Sequence, residues 1–367
     1  MKKEHIILNS NMTDYSLDKI ASPEDILFLD IETTGLSARN SYIYMIGVAY
    51  YSNDNYHYEG LFAENASEEE EIIQGFLQIL AGHTTVIHFN GNNFDLPFIE
   101  ERAKAYNLPV SFAEYDGVDL YRRISHFKHM LGLSNCKQKS IEAYLGVGRE
   151  DEYSGGELIH VYREYVQNKD EELYKLLLIH NRDDVSGLIR ILPILSYIDL
   201  FFKPVAVTGV KINTYKDAME SYKKELLIEF DIESALPRPF STSTDNCYLS
   251  VKGKKGLLKV PVYTEELKYF FENHKDYYYL PEEDMAVHKS VSIYVDKEFR
   301  KQATAETCYC RKEGEFLPEW DYLFTPFFKR EYKSHQLFFE LTDSVKSSRD
   351  NFATYVSHIL SHMVGRI

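Results

Sequence analysis

The apolar positions of this chain follow two rhythms. Ile26-Leu27-Phe28-Leu29 is continuous, as in a strand covered on both faces, and runs directly into Asp30-Ile31-Glu32. Tyr42–Ser52 and Tyr56–Ala63 are rich in Tyr, Ile and Val with partial alternation, and the polar stretch Ser52-Asn53-Asp54-Asn55 lies between them. Together the three runs predict an antiparallel meander. Residues 1–23 ahead of it read as a polar lead-in.

The rhythm then becomes helical. Ser67 and Glu68–Glu71 supply a cap and an acidic first turn, after which Ile72, Ile73, Phe76, Leu77 and Leu80 recur at helical spacing. Thr84–Phe89 predicts a short strand, and Asn90-Gly91-Asn92-Asn93 a turn into a helix that carries Asp95 in its first turn and runs to about Asn107. Further helical patterns cover Asp119–Met130, Ile141–Gly146, Gly155–Gln167 and Glu171–Tyr197. Beyond Pro204 the character changes. Leu226–Ile232, Tyr248–Val251 and Leu257–Tyr263 read as strands, with Lys252–Gly256 as a hairpin turn, and Ala286–Lys301 and Asn351–Met363 read as helices.

A meander followed by alternating strands and helices predicts an α/β fold with a mixed sheet, antiparallel first and parallel later, flanked by helices. A chain of 367 residues exceeds one ordinary core, so two domains are expected: 24–200, and an α+β domain over 201–367.

Composition narrows the function. The best candidate for a membrane span, Leu188–Ile198, contains Arg190 and Pro193 and reads as a core helix; no membrane partner is expected. Four cysteines give no disulfide framework, and the lysines at the N-terminus have no sustained apolar region behind them, so a reduced, cytoplasmic protein is expected. Cys308 and Cys310 with Cys247 and His335 or His288 lack common zinc spacing and read as buried thiols. The net charge is −16, of which residues 1–200 carry −15 and residues 201–367 carry −1. Attraction to phosphate must therefore be local or supplied by bound cations. Arg122, Arg123, Lys128, Lys137 and Lys139 are the local cations of the acidic half, and Lys252, Lys254, Lys255 and Lys259 with Tyr277–Tyr279 and Phe327–Arg330 mix charge and rings in the second half.

Three places carry chemistry. Asp30 and Glu32 sit two apart on a strand and so share a face, where their charges repel unless a cation holds them. Asp95 sits at a strand-to-helix junction. His180 and Asp184 sit four apart on a helix, on the side that carries Leu177 and Leu188, while Asp183 points about 100° away toward another basic partner. Four carboxylates converging on one point is the donor set that two hard divalent cations require.

In order and type these pieces resemble the DEDD exonucleases of the ribonuclease H-like superfamily, in particular the proofreading domains of family B DNA polymerases and bacterial exonucleases predicted to be related to them. Asp30-Ile31-Glu32-Thr33-Thr34-Gly35 looks like the first motif and Asn90-Gly91-Asn92-Asn93-Phe94-Asp95-Leu96-Pro97 like the second. His180-Asn181-Arg182-Asp183-Asp184 occupies the third, with histidine at the spacing the family otherwise gives to tyrosine. The resemblance covers roughly residues 24–198. It implies a ribonuclease H-like sheet and 3′ to 5′ hydrolysis of single-stranded DNA or RNA with two Mg²⁺ or Mn²⁺ ions. Asp30 would bridge both ions. Glu32 and Asp184 would complete the site of the ion that activates water, Asp95 would hold the other, and His180 would orient the water. Thr33, Gly35, Leu36 and Asn90 would touch the terminal nucleotide. Two other readings remain open: a binding or assembly protein that kept the fold, and a phosphodiesterase acting on short oligonucleotides.

Overall fold

The expected meander is present, with one strand more than the sequence suggests. In the computed structural model, which describes residues 1–149, 153 and 155–365, six strands form one sheet: β1 (Lys2–Leu8), β2 (Ile26–Thr33), β3 (Ile43–Ser52), β4 (Asn55–Phe62), β5 (Thr85–His88) and β6 (Asp116–Asp119). Their order is β1-β4-β3-β2-β5-β6. β1 to β4 pair antiparallel, whereas β5 and β6 continue the sheet parallel to β2. The β3–β4 turn is a two-residue connection closed by Ser52 opposite Asn55, with Asn53 and Asp54 both at positive φ, the conformation for which these residue types are suited.

The edge strand β1 corrects the reading of residues 1–23 as a lead-in. Its polar, half-buried positions hid it. Glu4 accepts a hydrogen bond from the Tyr174 hydroxyl at 3.0 Å, and the Lys2 ammonium lies 4.1 Å from the centre of the Tyr174 ring.

The helices of this unit are α1 (Glu69–Leu80), α2 (Asp95–Ala105), α3 (Leu120–Ser125), α4 (Gln138–Leu145), α5 (Gly155–Asn168) and α6 (Glu171–Ile191). α3 is shorter than the pattern over Asp119–Met130, because Asp119 is its cap, accepting from Arg122 N, and the backbone leaves helical geometry after Ser125. Alternation along β2 sorts two layers. Leu27, Leu29 and Ile31 join Ile72, Ile73 and Phe76 of α1 and Leu96 and Ile99 of α2 in one core. Tyr44, Met45 and Phe62 on the other face of the sheet join Leu158, Tyr162 and Tyr165 of α5 and Tyr174 and Leu177 of α6 in a second. The continuous helical stretch Glu171–Phe202 is long and apolar enough to cross a bilayer by composition, yet 72% of its most apolar window is buried within the fold.

α6 crosses β3 at Gly47, opposite Asp30 in the register. A Cβ there would overlap Asn181 Oδ1 and sit 2.9 Å from Val185 Cγ2. Gly47→Ala is therefore expected to destabilise by about 1–3 kcal/mol through overpacking, seen as a lower urea midpoint with unchanged slope.

The chain divides into two units, Met1–Ile198 and Asp199–Ile367. In the second, strands β7 (Ala206–Lys216), β8 (Tyr222–Asp231), β9 (Phe240–Thr244), β10 (Cys247–Lys252), β11 (Lys255–Phe270), β12 (Tyr277–Leu280), β13 (Met285–His288), β14 (Lys301–Gln302), β15 (Tyr309–Glu319), β16 (Phe327–Phe328) and β17 (Leu337–Glu340) build an eight-stranded and a three-stranded sheet. The long β11 is the spine: Lys255–Val262 pairs with β8, its first residues also with β10, and Tyr263–Phe270 pairs with β15. The segment Ala286–Lys301, expected to be a helix, instead completes β13, makes one short helical turn at Lys289–Ser292 and ends at β14, because Tyr277–Leu280 offers a strand edge on both sides. The final helix, Arg349–Gly365, buries Phe352, Tyr355, Val356, Ile359 and Leu360.

Glu319, at the end of β15, is fully buried and has one bonded oxygen, Oε2, which accepts from Phe324 N at 3.1 Å. Burial raises its pKa from an ordinary 4.5 to about 7. Its contribution to stability is complete below about pH 4.5 and is lost as pH rises through 7. Glu319→Gln should therefore stabilise this unit by about 1–3 kcal/mol at pH 8 and leave it unchanged at pH 4, measured by denaturant unfolding at both values.

Candidate active site

Asp30 and Glu32 leave β2 on the side opposite Leu29 and Ile31, toward α6. Asn181 of α6 donates from Nδ2 to Asp30 Oδ2 at 3.0 Å, and its Oδ1 accepts from the Tyr58 hydroxyl at 2.8 Å. One fully buried amide thus fixes Asp30 against β4 and α6 together. The close approach at Gly47 makes that bond possible.

His180 lies between two carboxylates, with Nε2 3.2 Å from Glu32 Oε1 and 3.1 Å from Asp184 Oδ2. The ligating atoms of Glu32, His180 and Asp184 all fall within 4.8 Å of one another. Tyr44, stacked on Tyr162 with ring centres 4.1 Å apart, donates to Glu32 Oε2 at 3.4 Å.

Asp95 arrives from the other layer. Its turn is pinned at three points: Asn90 takes a left-handed conformation (φ 60°), Asn90 N donates to Asp119 Oδ1 at 2.9 Å, and Gly91 N donates to Nδ1 of the buried His88 at 3.1 Å. Burial lowers the His88 pKa, which favours the neutral ring that can accept this bond. So held, α2 begins at Asp95, whose Oδ1 accepts from Ile31 N at 3.2 Å, directly between Asp30 and Glu32 in the chain.

The electrostatics divide the carboxylates into two kinds. Burial, followed by the charges of Asp184, Glu32 and Asp95, raises the Asp30 pKa far above the carboxylate range. Burial likewise pushes Asp95 up to about 7, although backbone hydrogen bonds pull the other way. Burial also raises Glu32 on balance, against His180. Asp184 is the exception. Burial would raise its pKa, but hydrogen bonds and charge from His180 and Arg149 outweigh it and lower the value. For His180 burial favours the neutral ring, and Asp184 and Glu32 overcome this to raise its pKa to about 11.

Arg149 is the residue that sequence reading missed. Its Nη2 donates to Asp184 Oδ1, and its Nη1 lies 3.0 Å from both oxygens of the buried Glu142 on α4. Gln138 completes the support, donating from Nε2 to Glu142 Oε1 at 3.0 Å and to the Asp184 carbonyl at 2.8 Å. A lone arginine in a loop carries no signal of such a partnership. Asn181, by contrast, stands beside His180 in the motif. Asp183 is buried and faces away, 3.8 Å from Arg182 Nη2.

The remaining expected contacts surround the end of β2. Thr33 is buried, with its hydroxyl donating to Gly35 O at 2.9 Å. Leu36 is 88% exposed. Asn90 and Asn93, joined at 2.8 Å, line a groove of about 720 Å³ with Phe89, Tyr121, Lys128 and Lys137. Gln138, the residue that touches Asp184, lines it too, and no carboxylate does among the described residues.

Residues 27–196 match the family model of the RNase H superfamily. The N-terminal unit has an RNase H-like fold. Solved structures similar to this RNase H-like chain include the family B DNA polymerase of the hyperthermophilic archaeon Pyrobaculum calidifontis, with 20% identity and a TM-score of 0.40 over 48% of this chain and 25% of the polymerase. The E. coli ExoI–ssDNA complex in its zinc-bound form follows at 10% identity and TM-score 0.26, over 57% of this chain and 55% of that one. A product-bound exonuclease I matches at 10% identity and TM-score 0.25, over 93% and 72%. No curated protein matches the sequence.

The donor set of the RNase H-like domain fits hard divalent cations. Asp95 offers buried carboxylate oxygens and Asp30, Glu32 and Asp184 partly buried ones, and no basic side chain is hydrogen-bonded to Asp30 or Asp95 among the described residues.

Proposed function

We propose that the RNase H-like domain is a divalent-cation-dependent 3′ to 5′ exonuclease acting on single-stranded DNA or RNA. The observation that carries this reading is the gathering of four carboxylates along one stretch of β2: Asp95 accepts from Ile31 N between Asp30 and Glu32, Asp184 is joined to Glu32 through His180, and Asp30 and Asp95 have no basic hydrogen-bond partner among the described residues. Buried charge of one sign is costly unless something neutralises it.

Asp30, Glu32, Asp95 and Asp184 would hold two Mg²⁺ or Mn²⁺ ions, which supply polarisation of the phosphodiester and a lowered pKa for water. The protein's own part is positional. Asn181 orients Asp30, Ile31 N orients Asp95, and Arg149 with Gln138 holds the Asp184 end of α6. His180 carries a proton at Nε2 within reach of both Glu32 and Asp184, from which it can donate to a water and orient it. Thr33 and Gly35 shape the strand end, Leu36 offers an apolar face to the last base, and Asn90 opens the lysine-bearing groove to the strand.

One observation favours a second reading, a binding protein on the same fold: His180 and Arg149 already neutralise Glu32 and Asp184. End-labelled single strands of graded length, DNA and RNA in parallel, separate the two. The exonuclease reading predicts Mn²⁺-dependent shortening from the 3′ end. Retention of intact strands at every Mn²⁺ concentration would favour the binding protein, and cleavage of the shortest oligomers alone would indicate a small-substrate phosphodiesterase.

A further inference from the structure

The first 200 residues carry a net charge of −15, so the half of the chain that holds the candidate active site repels a polyanion. Beyond the lysine-bearing groove at Asn90, a long strand gains from a further holding surface, and the second unit provides the material for one.

The register sets it out. On β10 and β11, Leu249, Val251, Leu258 and Val260 are buried, so the alternate positions Tyr248 and Lys259, which are paired across the two strands, point outward. On β7 and β8, Tyr215 is paired with Lys223. These four residues and Tyr222 line a groove of about 610 Å³. Tyr248 is 40% exposed, Tyr215 42% and Tyr222 75%, and large rings left this open are not serving a core.

The groove lining carries Lys223, Lys224, Lys259 and Arg330 against three carboxylates. Glu265 pairs with Arg330 at 2.8 Å, Glu225 is oriented by Asn213 at 2.8 Å, and Asp217 is held by the backbone of Met219 and Ser221. Lys224 is bound to Glu315 at 2.5 Å. Lys223 and Lys259 have no carboxylate partner among the described residues, and the Lys259 ammonium lies 5.9 Å from the Tyr248 ring centre. Flat exposed rings beside ammonium groups that form no ion pair match a strand whose unpaired bases stack and whose phosphates pair, and a duplex keeps its bases out of reach of such rings.

We propose that this groove binds single-stranded nucleic acid through Tyr248, Tyr215 and Tyr222 with Lys223 and Lys259. Its role in feeding hydrolysis rests on the exonuclease reading; the binding itself does not.

The test uses the full chain carrying Asp30→Asn, so that strands survive, and fluorescence anisotropy with labelled oligo-dT and oligo-U of about 20 nucleotides, longer than a typical single-domain footprint. Tyr248→Ala is expected to weaken binding about tenfold and Tyr248→Phe to restore it. Lys223→Ala and Lys259→Ala, on surface side chains that folding does not need, should each weaken binding and lower the salt dependence by about one ion, the slope expected of a lost phosphate contact. In the otherwise unmodified chain, Tyr248→Ala should raise KM for long strands and leave trinucleotide turnover unchanged. Binding by the three alanine variants equal to that of the parent overturns the proposal, as does equal affinity for duplex and single strand. Absence of hydrolysis by the unmodified chain would remove the exonuclease reading while the anisotropy still decides the groove.

Discussion

Asp30→Asn is expected to do two opposite things at once. In cation-free buffer it should raise the melting temperature of the RNase H-like domain, and in Mn²⁺ it should abolish strand shortening. The first effect follows from charge. Asp30 is partly buried and faces the repulsion of Asp184, Glu32 and Asp95, and the neutral amide that replaces it retains an oxygen to accept from Asn181. Relief of about 1–2 kcal/mol corresponds to a rise of roughly 2–8 °C for a unit of this size. The second effect follows from the same carboxylate: if it bridges both cations, its loss removes several kcal/mol of transition-state stabilisation, on the order of 10³-fold in rate. Differential scanning calorimetry without and with Mn²⁺, beside the hydrolysis assay, reads both. A structural carboxylate would behave otherwise, with its loss lowering the melting temperature and leaving any hydrolysis in place.

Arg149→Met should be among the most destabilising single changes in the domain. Arg149 is the counter-charge for Glu142, whose side chain is 1% exposed, and for Asp184. Removing one partner of a buried pair leaves an uncompensated charge, at a cost of about 3–5 kcal/mol. Adding Glu142→Gln should recover much of the loss, and the difference between the double variant and the sum of the singles measures the coupling. In the hydrolysis assay Arg149→Met is expected to shift the Mn²⁺ requirement upward, because Arg149 holds Asp184 in place. Equal stability of the variant and the parent in urea would show that the pair contributes nothing.

Sequence made the central strand readable because its rhythm and its chemistry coincide: the apolar run marks a buried strand, and the acids two apart at its end mark charges that need a cation. The β3–β4 turn was equally open to reading, since Asn53 and Asp54 are the residue types that positive φ admits. Strand β1 escaped notice because Lys2 and Glu4 point toward the protein and are satisfied there by Tyr174, so its alternation is masked by polarity. Ala286–Lys301 was misread for the converse reason. Its apolar spacing suits a helix, but a strand edge at Tyr277–Leu280 takes up its backbone hydrogen bonds, and this depends on residues far from the segment's own pattern. Within the site, the acidic residues and His180 stand in recognisable motifs. Arg149, Glu142, Gln138 and Tyr44 act through contacts between distant parts of the chain, and nothing in their local sequence marks them.

The central claim is that positions 30, 32, 95 and 184 form one shared cation site, and isothermal titration of Mn²⁺ into the cation-free chain tests it most directly. Two bound ions per chain are expected, with binding lost in Asp30→Asn and weakened in Asp95→Asn. Absence of Mn²⁺ binding by the parent, or binding that both variants retain unchanged, would contradict it.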